Sequence, residues 1–468
     1  MIKPAGSKLG VGLSNSIIKI FRILRQEFLF KLNFWTIPAF LIGLFIFIPM
    51  AEVLSSLTTY SSNWTHLKDT VLFSYLSNSL ILIIGTASFS LIFGVSCAWI
   101  VSNYTFRFRK ILEWLLVLPL AIPTYISAYA YFDILELFNP LLIWIRTNIG
   151  FEIMQLVNNS LVYLVTILVM ASVLYPYIYL LARASFIRQG KQLSDAARTL
   201  GHNSKSIFWK IALPMARPAI VAGMSLVIME TLNDYGAVKH FGVPTFTSGI
   251  FRTWLGMGDL TGALRLSGIL MLLIFSLLIF EKKLRSRSKY HEILNSKPSS
   301  EKKLLNKNKS IIAICCCSIP LVLGFFIPVS RMISWAWISR NSASDLDGIE
   351  LIGNSLGLAT ITSLTIVAIA TFLVFSARYY KSAITYFSNR LAILGYSIPG
   401  AVIAIGILLF VAQVNHLTNY VLTGSLYLLI FAYIVRYLAV AWQPINAGIE
   451  SNCDSLNHAS QTLGSSAY

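Results

Sequence analysis

Apolar residues in this chain come in long runs separated by short polar stretches. The runs fall at 36–58, 79–102, 112–134, 160–182, 213–235, 264–281, 311–331, 355–376, 390–412 and 419–441. About 20 apolar residues suffice for a helix to cross the hydrocarbon layer of a bilayer. Within that layer each backbone group must be satisfied inside its own segment, so every run predicts a transmembrane helix. Composition agrees: 56% of the 468 residues are hydrophobic, 12% are charged, and mean hydropathy is +0.70. Soluble domains carry about 25% charged residues. The expectation is an all-α polytopic membrane protein with ten spans.

The net charge of +18 invites a nucleic-acid reading, but its placement excludes one. Cations gather in 103–111, 183–217 and 281–310, while the loops between, around 59–78, 135–159, 236–263 and 332–354, hold few. That alternation places the N-terminus and the basic loops in the cytoplasm. The N-terminal stretch lacks the pattern of a secretory signal. Ile17, Ile20, Phe21 and Leu24, with Lys19, Arg22 and Arg25 between them, instead predict an amphipathic helix on the cytoplasmic membrane surface.

An internal repeat organises the spans. "SNSL" at 77–80 and "GNSL" at 353–356 each open a run, and each half carries an Ile-Pro pair, at 122–123 and 398–399. Asn78 and Asn354 are 276 residues apart, as are Pro123 and Pro399; Gly201 of "RTLG" and Gly464 of "QTLG" are 263 apart. The offset changes in the outer loop after the third span, which is longer in the first half. The domain reading is a first half at 1–280, a basic cytoplasmic linker at 281–310 and a second half at 311–468. The two halves form a parallel tandem repeat about an axis along the membrane normal. Counted against the first half, the second holds four of six expected spans, and its polar loop stops before its second helix. As read, such a half would not support transport.

The most regular polar segment is "DAARTLGHNSKSIFWKIALP", residues 195–214. Ser194 suits a helix N-cap, and Asp195 in the first turn complements the helix dipole. Ala196 and Ala197 permit close packing. Gly201 suits the left-handed residue that ends a helix. A second short helix carries Ile207, Phe208 and Ile211 toward the spans, and Pro214 suits the first turn of the next one. The expected product is a cytoplasmic helix–turn–helix projection at 194–214 joined rigidly to two spans.

Asp195-Ala196-Ala197-x-x-x-Gly201, nine residues, then Ile211-x-Leu213-Pro214 resembles the signature loop of permease subunits of bacterial binding-protein-dependent ABC importers. Asp195 stands where that family has Glu. The resemblance implies a type I importer permease fold, residence in the bacterial inner membrane, and docking of this loop on cytoplasmic ATPase subunits, a dimer, that bind ATP and Mg. It also implies an extracytoplasmic substrate-binding protein as partner. At the C-terminus His458 replaces the acid, Ala459 and Gly464 keep their places, and Ser460 replaces the second alanine. Two fused permease halves resemble ferric-iron and thiamine importers, and residues 230–259 look most like the ferric-iron type.

No phosphate-binding G-x-x-x-x-G-K-[ST] loop occurs in the chain, so ATP hydrolysis is expected on a separate subunit and no cofactor here. Cys315, Cys316 and Cys317 are consecutive on a helix and point in different directions, which prevents them converging on one metal. They read as small apolar residues, with Cys97 and Cys453 elsewhere. For the substrate passage, Glu230, Asn233, Asp234 and Tyr235 cluster at the outer end of the fifth run. Glu230 and Asp234 are spaced to share a helix face, and such oxygens suit transient contact with a hard cation. Pro123 and Pro399 are expected to kink or break their helices. An ion-driven secondary transporter also fits duplicated halves, but leaves the paired polar loops unexplained.

Overall fold

The computed structural model describes residues 33–462 other than 60, 62, 190–196, 198, 287–302, 341–347, 381 and 419. The expected surface helix at 17–24 and most of the basic linker lie outside the described residues.

Among the described residues, nine helices are long and apolar enough to cross a membrane. The count is ten if one sharply bent pair is a single span. In chain order they begin with α1 (Thr36–Ser55), the short α2 (Trp64–Thr70) and the long α3 (Leu72–Asn103). Next come α4 (Arg109–Leu115), α5 (Thr124–Glu136), α6 (Asn139–Asn148) and α7 (Phe151–Arg188). Beyond the polar loop lie α8 (Ser204–Ile207), α9 (Leu213–Asn233), α10 (Gly236–His240), α11 (Phe246–Phe251) and α12 (Leu260–Ser286). The second half supplies α13 (Lys307–Leu321), α14 (Ile327–Ser339), α15 (Gly348–Tyr379), α16 (Ala383–Leu394), α17 (Gly400–Thr418) and α18 (Leu426–Thr462). The helix α6 fills the loop after the third expected span, where the first half is longer than the second.

Two expected spans are not continuous. The run at 112–134 splits into α4, a 3-10 turn (Leu118–Ala121) and α5, with a bend of 90°. The run at 390–412 splits in the same way at Ile398–Pro399, after a 3-10 turn (Gly395–Ser397). A residue before proline is pushed out of the helical region, and proline itself offers no N–H. Ile122 (ψ 117°) and Ile398 (ψ 137°) both take extended backbone accordingly. The Ile-Pro pairs are therefore breaks in both halves.

Packing divides the chain differently from the repeat. One compact unit joins the residues up to Thr58 with those from Asp347 onward; the other is Thr59–Leu346. Each unit thus takes in the first long helix of the opposite half of the sequence. In the first unit α1 packs against α16 and α17, and Trp35 stacks on Phe372 of α15 at 5.6 Å. In the second, α7 is the central helix: Met170, Tyr175, Ile178 and Tyr179 are fully buried between α3 and α9.

The helix α13–α14 belongs to this second unit and contains a five-residue π turn, Val322–Phe326, before Pro328. Ile327 donates to the Val322 carbonyl in the π register. The next carbonyl in that register, Leu323, would need an N–H from Pro328, which has none. The Tyr131 hydroxyl of α5 donates to it instead, at 2.7 Å. Nearby, Cys97 of α3 and Cys317 of α13 are buried, and the Cys97 thiol lies 4.0 Å from the Cys316 carbonyl. Cys97 is thus a packing partner of the cysteine run rather than a scattered residue.

Candidate coupling loop and substrate passage

The polar loop leaves α7 at Gln189 and re-enters at Ser204. Asp195 and Ala196 lie outside the described residues, as do Ser194 and Gly464. The backbone of His458 and Ala459 continues α18. Ala197 is buried. Gly201 has φ +84°, and the His202 N–H reaches back to the Ala197 carbonyl at 3.0 Å. A 6→1 bond around a left-handed residue is the Schellman way of closing a helix C-terminus. A second turn follows, with the Asn203 carboxamide accepting from the Ser206 N–H at 2.8 Å.

The second helix of the projection is not separate from the next span. It runs from Ser204 through a π turn, Phe208–Ala212, directly into α9. Leu213 donates to the Phe208 carbonyl in the π register. Pro214 follows immediately, so the wider turn accommodates a ring that would clash with the carbonyl four residues back. Pro214 does sit in the first turn of α9, but as a register change within a continuous helix. Ile207 is buried, Ile211 and Leu213 are half-buried, and the Phe208 ring meets Trp99 at 4.9 Å. The Gln189 side chain donates to the Ala212 carbonyl at 3.1 Å, tying the exit of α7 to the entry of α9. Between these anchored points Leu200 and Trp209 are 80% and 66% exposed.

The four passage residues do not share a helix face. The helix α9 ends at Asn233, and Asp234 adopts ψ 120°. Helical spacing between Glu230 and Asp234 therefore fails, because the chain must turn there to start α10. The Asp234 carboxylate caps α10, accepting from the Ala237 N–H at 2.8 Å, and it also accepts from the Thr124 hydroxyl. Its own carbonyl accepts from Thr247 at 2.7 Å. Tyr235 packs on Phe251 at 4.1 Å, with the Lys239 ammonium over its other flank at 5.4 Å. Glu230 stays half-buried on α9. Asn233 differs from the rest, since both polar atoms of its side chain are buried without a hydrogen-bond partner.

Sequence reasoning missed Thr124, Tyr125 and Thr247, the residues that hold this turn. Thr124 is the first helical residue after the Pro123 break. Tyr125 lies so close to Gly236 that a Cβ there would sit 2.4 Å from the Tyr125 Cβ. The signal for Thr124 was its place after an Ile-Pro pair; nothing local marked the other two. Asp234→Ala should remove a helix cap, at about 1 kcal/mol, and leave the half-buried Thr124 hydroxyl short of an acceptor. Thermal unfolding of the detergent-solubilised chain should show a lower midpoint for Asp234→Ala and a smaller drop for Asp234→Asn. Equal midpoints would contradict the capping role.

A bundle of long apolar helices with a broken span in each half, and a polar segment that runs directly into one of them, fits the fold of a type I ABC importer permease. Comparison with known proteins agrees. Residues 90–287 match the family described as the binding-protein-dependent transport system inner membrane component. Over 401 residues the chain is 27% identical to the Fe(3+)-transport system permease protein FbpB 2 of Haemophilus influenzae. That match covers 84% of this chain and 73% of the relative. The sulfate transport system permease protein CysT of Escherichia coli is 31% identical over 150 residues, covering 32% of this chain and 52% of the relative. The molybdenum transport system permease protein ModB of the same species is 29% identical over 205 residues, covering 41% and 85%.

Proposed function

We propose that this chain is the membrane permease of an ATP-driven importer for ferric iron, received from an extracytoplasmic binding protein and released into the cytoplasm. ATP and Mg are bound and hydrolysed by separate cytoplasmic subunits, which dock on the 194–214 projection; the N-terminus and the basic loops lie on the same side. The observation that carries the coupling role is the exposed pair Leu200 and Trp209, held on either side of a left-handed Gly201 by a segment anchored to α7 and α9. Large apolar side chains left exposed while their neighbours Ala197 and Ile207 are buried are what a protein partner would cover. Ferric iron is favoured over an oxyanion because the similarity to the iron permease extends through both halves, whereas the sulfate and molybdenum permeases match about a third to two-fifths of the chain. In the passage, Asn233 is the residue with hydrogen-bonding capacity to offer a passing ligand.

Uptake into vesicles holding this chain with its ATPase and binding protein tests the reading. Radioactive ferric iron should accumulate only with ATP, and excess sulfate or molybdate should leave the rate unchanged. Accumulation of either oxyanion in place of iron would overturn the substrate assignment, and accumulation without ATP would overturn the class of transporter.

A further inference from the structure

The short helix α4 is held from the side in a way its length requires. Seven residues cannot sustain a helix alone, so α4 moves with whatever binds it. It is bounded by the turn at 104–108 and by the Ile122–Pro123 break.

Its polar links run mainly to α7, the helix that ends at the polar loop. The Tyr179 hydroxyl donates to the Glu113 carbonyl at 3.0 Å, and Tyr175 donates to the Leu116 carbonyl at 2.9 Å. Arg183 of α7 forms an ion pair with the Glu113 carboxylate. Arg109 binds the other carboxylate oxygen at 2.9 Å, and its Nε donates to the Val101 carbonyl of α3 at 2.9 Å. Glu113 therefore bridges two arginines from two elements. Its side chain is only 18% exposed, so the pairs are poorly screened by solvent.

The same position in the other unit shows the same construction with different chemistry. Asn389 of α16 lies 276 residues after Glu113, as the two prolines do. Its Oδ1 accepts from Trp442 Nε1 of α18 at 2.5 Å, and its Nδ2 donates to the Leu373 carbonyl of α15 at 3.1 Å. In each unit the side chain at this position on the helix before the Ile-Pro break binds the long helix that leads to the polar phrase; Asn389 also reaches the long helix before the break directly, whereas Glu113 reaches it through Arg109. A neutral amide suffices to pack these three elements together. The charged version occurs where the polar loop has its complete pattern.

We infer that Glu113 is a positioning residue that carries movement of the 189–214 loop to the broken span. Arg183 lies six residues before Gln189, roughly 9 Å along α7 at about 1.5 Å per residue. Displacement at the loop therefore reaches the Arg183–Glu113 pair before the other links from α7 to α4, those of Tyr179 and Tyr175. It then passes along α4 to the Ile122–Pro123 break, where Thr124 meets Asp234. The inference rests on the permease reading.

The test reports on the broken span and is independent of the substrate. In a full-length chain whose native cysteines are replaced, Phe132→Cys on α5 is labelled with a maleimide in vesicles containing the ATPase. Labelling rates are compared with and without ATP and vanadate. The parent should change its rate at least fivefold on trapping. Glu113→Gln should reduce that change to less than twofold, with ATP hydrolysis still measurable, and Glu113→Asp should recover at least half of it. A full nucleotide response in Glu113→Gln overturns the role of Glu113 alone. No response in the parent overturns the coupling reading and this inference with it. Should Glu113→Gln fail to accumulate in membranes, Arg183→Gln breaks the same pair from the other side and is read in the same way. Loss of both chains from the membrane would make the cluster a folding element and sink the proposal.

Discussion

Gly324→Ala is expected to destabilise the fold more than any other single methyl addition at a non-loop position in the second unit. Gly324 lies in the π turn between α13 and α14, and an added Cβ would sit 2.1 Å from the carbonyl oxygen of Ser172 on α7. The obstacle is backbone on the central helix, which cannot rotate away as a side chain could. The two helices would have to separate, exposing Leu321 and Cys317 and stretching the Tyr131–Leu323 hydrogen bond. Overpacking in a tight core costs about 1–3 kcal/mol and occasionally more; a backbone clash belongs at the upper end. Gly357 is the matched control, because it also sits inside a long helix but has nothing within 4 Å of an added Cβ. Alanine there should be neutral or stabilising by up to roughly 1 kcal/mol, through better helix propensity. Midpoints of thermal aggregation of the purified chain in detergent should fall for Gly324→Ala and hold or rise for Gly357→Ala. The reverse order would refute the close approach of α13–α14 to α7.

The second large effect is expected on coupling. Gly201→Val should cut ATP-driven uptake by about tenfold while leaving membrane insertion and helix content intact. No atom lies within 4 Å of an added Cβ, so the cost is conformational. At φ +84° an L-residue loses roughly 1–2 kcal/mol, more if β-branched, and the population of the closed Schellman turn falls by a factor of roughly 5–30. Loss of that turn would release Leu200 and Trp209 from their fixed presentation, which is what docking requires. Gly201→Asn is the diagnostic companion, since asparagine visits the left-handed region more readily and should retain most uptake. Unchanged transport per ATP in Gly201→Val would show that the loop's shape does not matter to coupling.

Much of this arrangement was legible from the chain. The apolar runs placed ten candidate spans, and helices occupy most of each, although two runs are broken and the last begins about two turns before α18 starts at Leu426. Helices such as α3 and α7 continue past the apolar run into flanking residues. The two Ile-Pro pairs announced their breaks because proline acts on its immediate neighbours, and Gly201 announced a left-handed turn for the same local reason. The reading of Glu230 and Asp234 as one helix face failed because periodicity carries no stop signal at Asn233. The helix ends there because Asp234 is needed as a cap for α10, in contact with Thr124 from a distant part of the chain.

By itself, the sequence determined that this is a multi-pass helical membrane protein, with a break at each Ile-Pro pair and a left-handed turn at Gly201 in the polar segment between two long spans. Those features follow from periodicity, charge placement and single-residue backbone preferences, which act over a few residues. Only the tertiary structure decided that each compact unit takes in the first long helix of the other half. The same holds for the meeting of Cys97 with Cys317, and for Glu113, which joins two arginines 74 positions apart in the chain. Apolar helices in a bilayer are nearly interchangeable by hydrophobicity. Their partners are chosen by close approach of small residues, by orphaned carbonyls beside proline and by a few charge pairs, and these acquire a meaning only when distant elements meet.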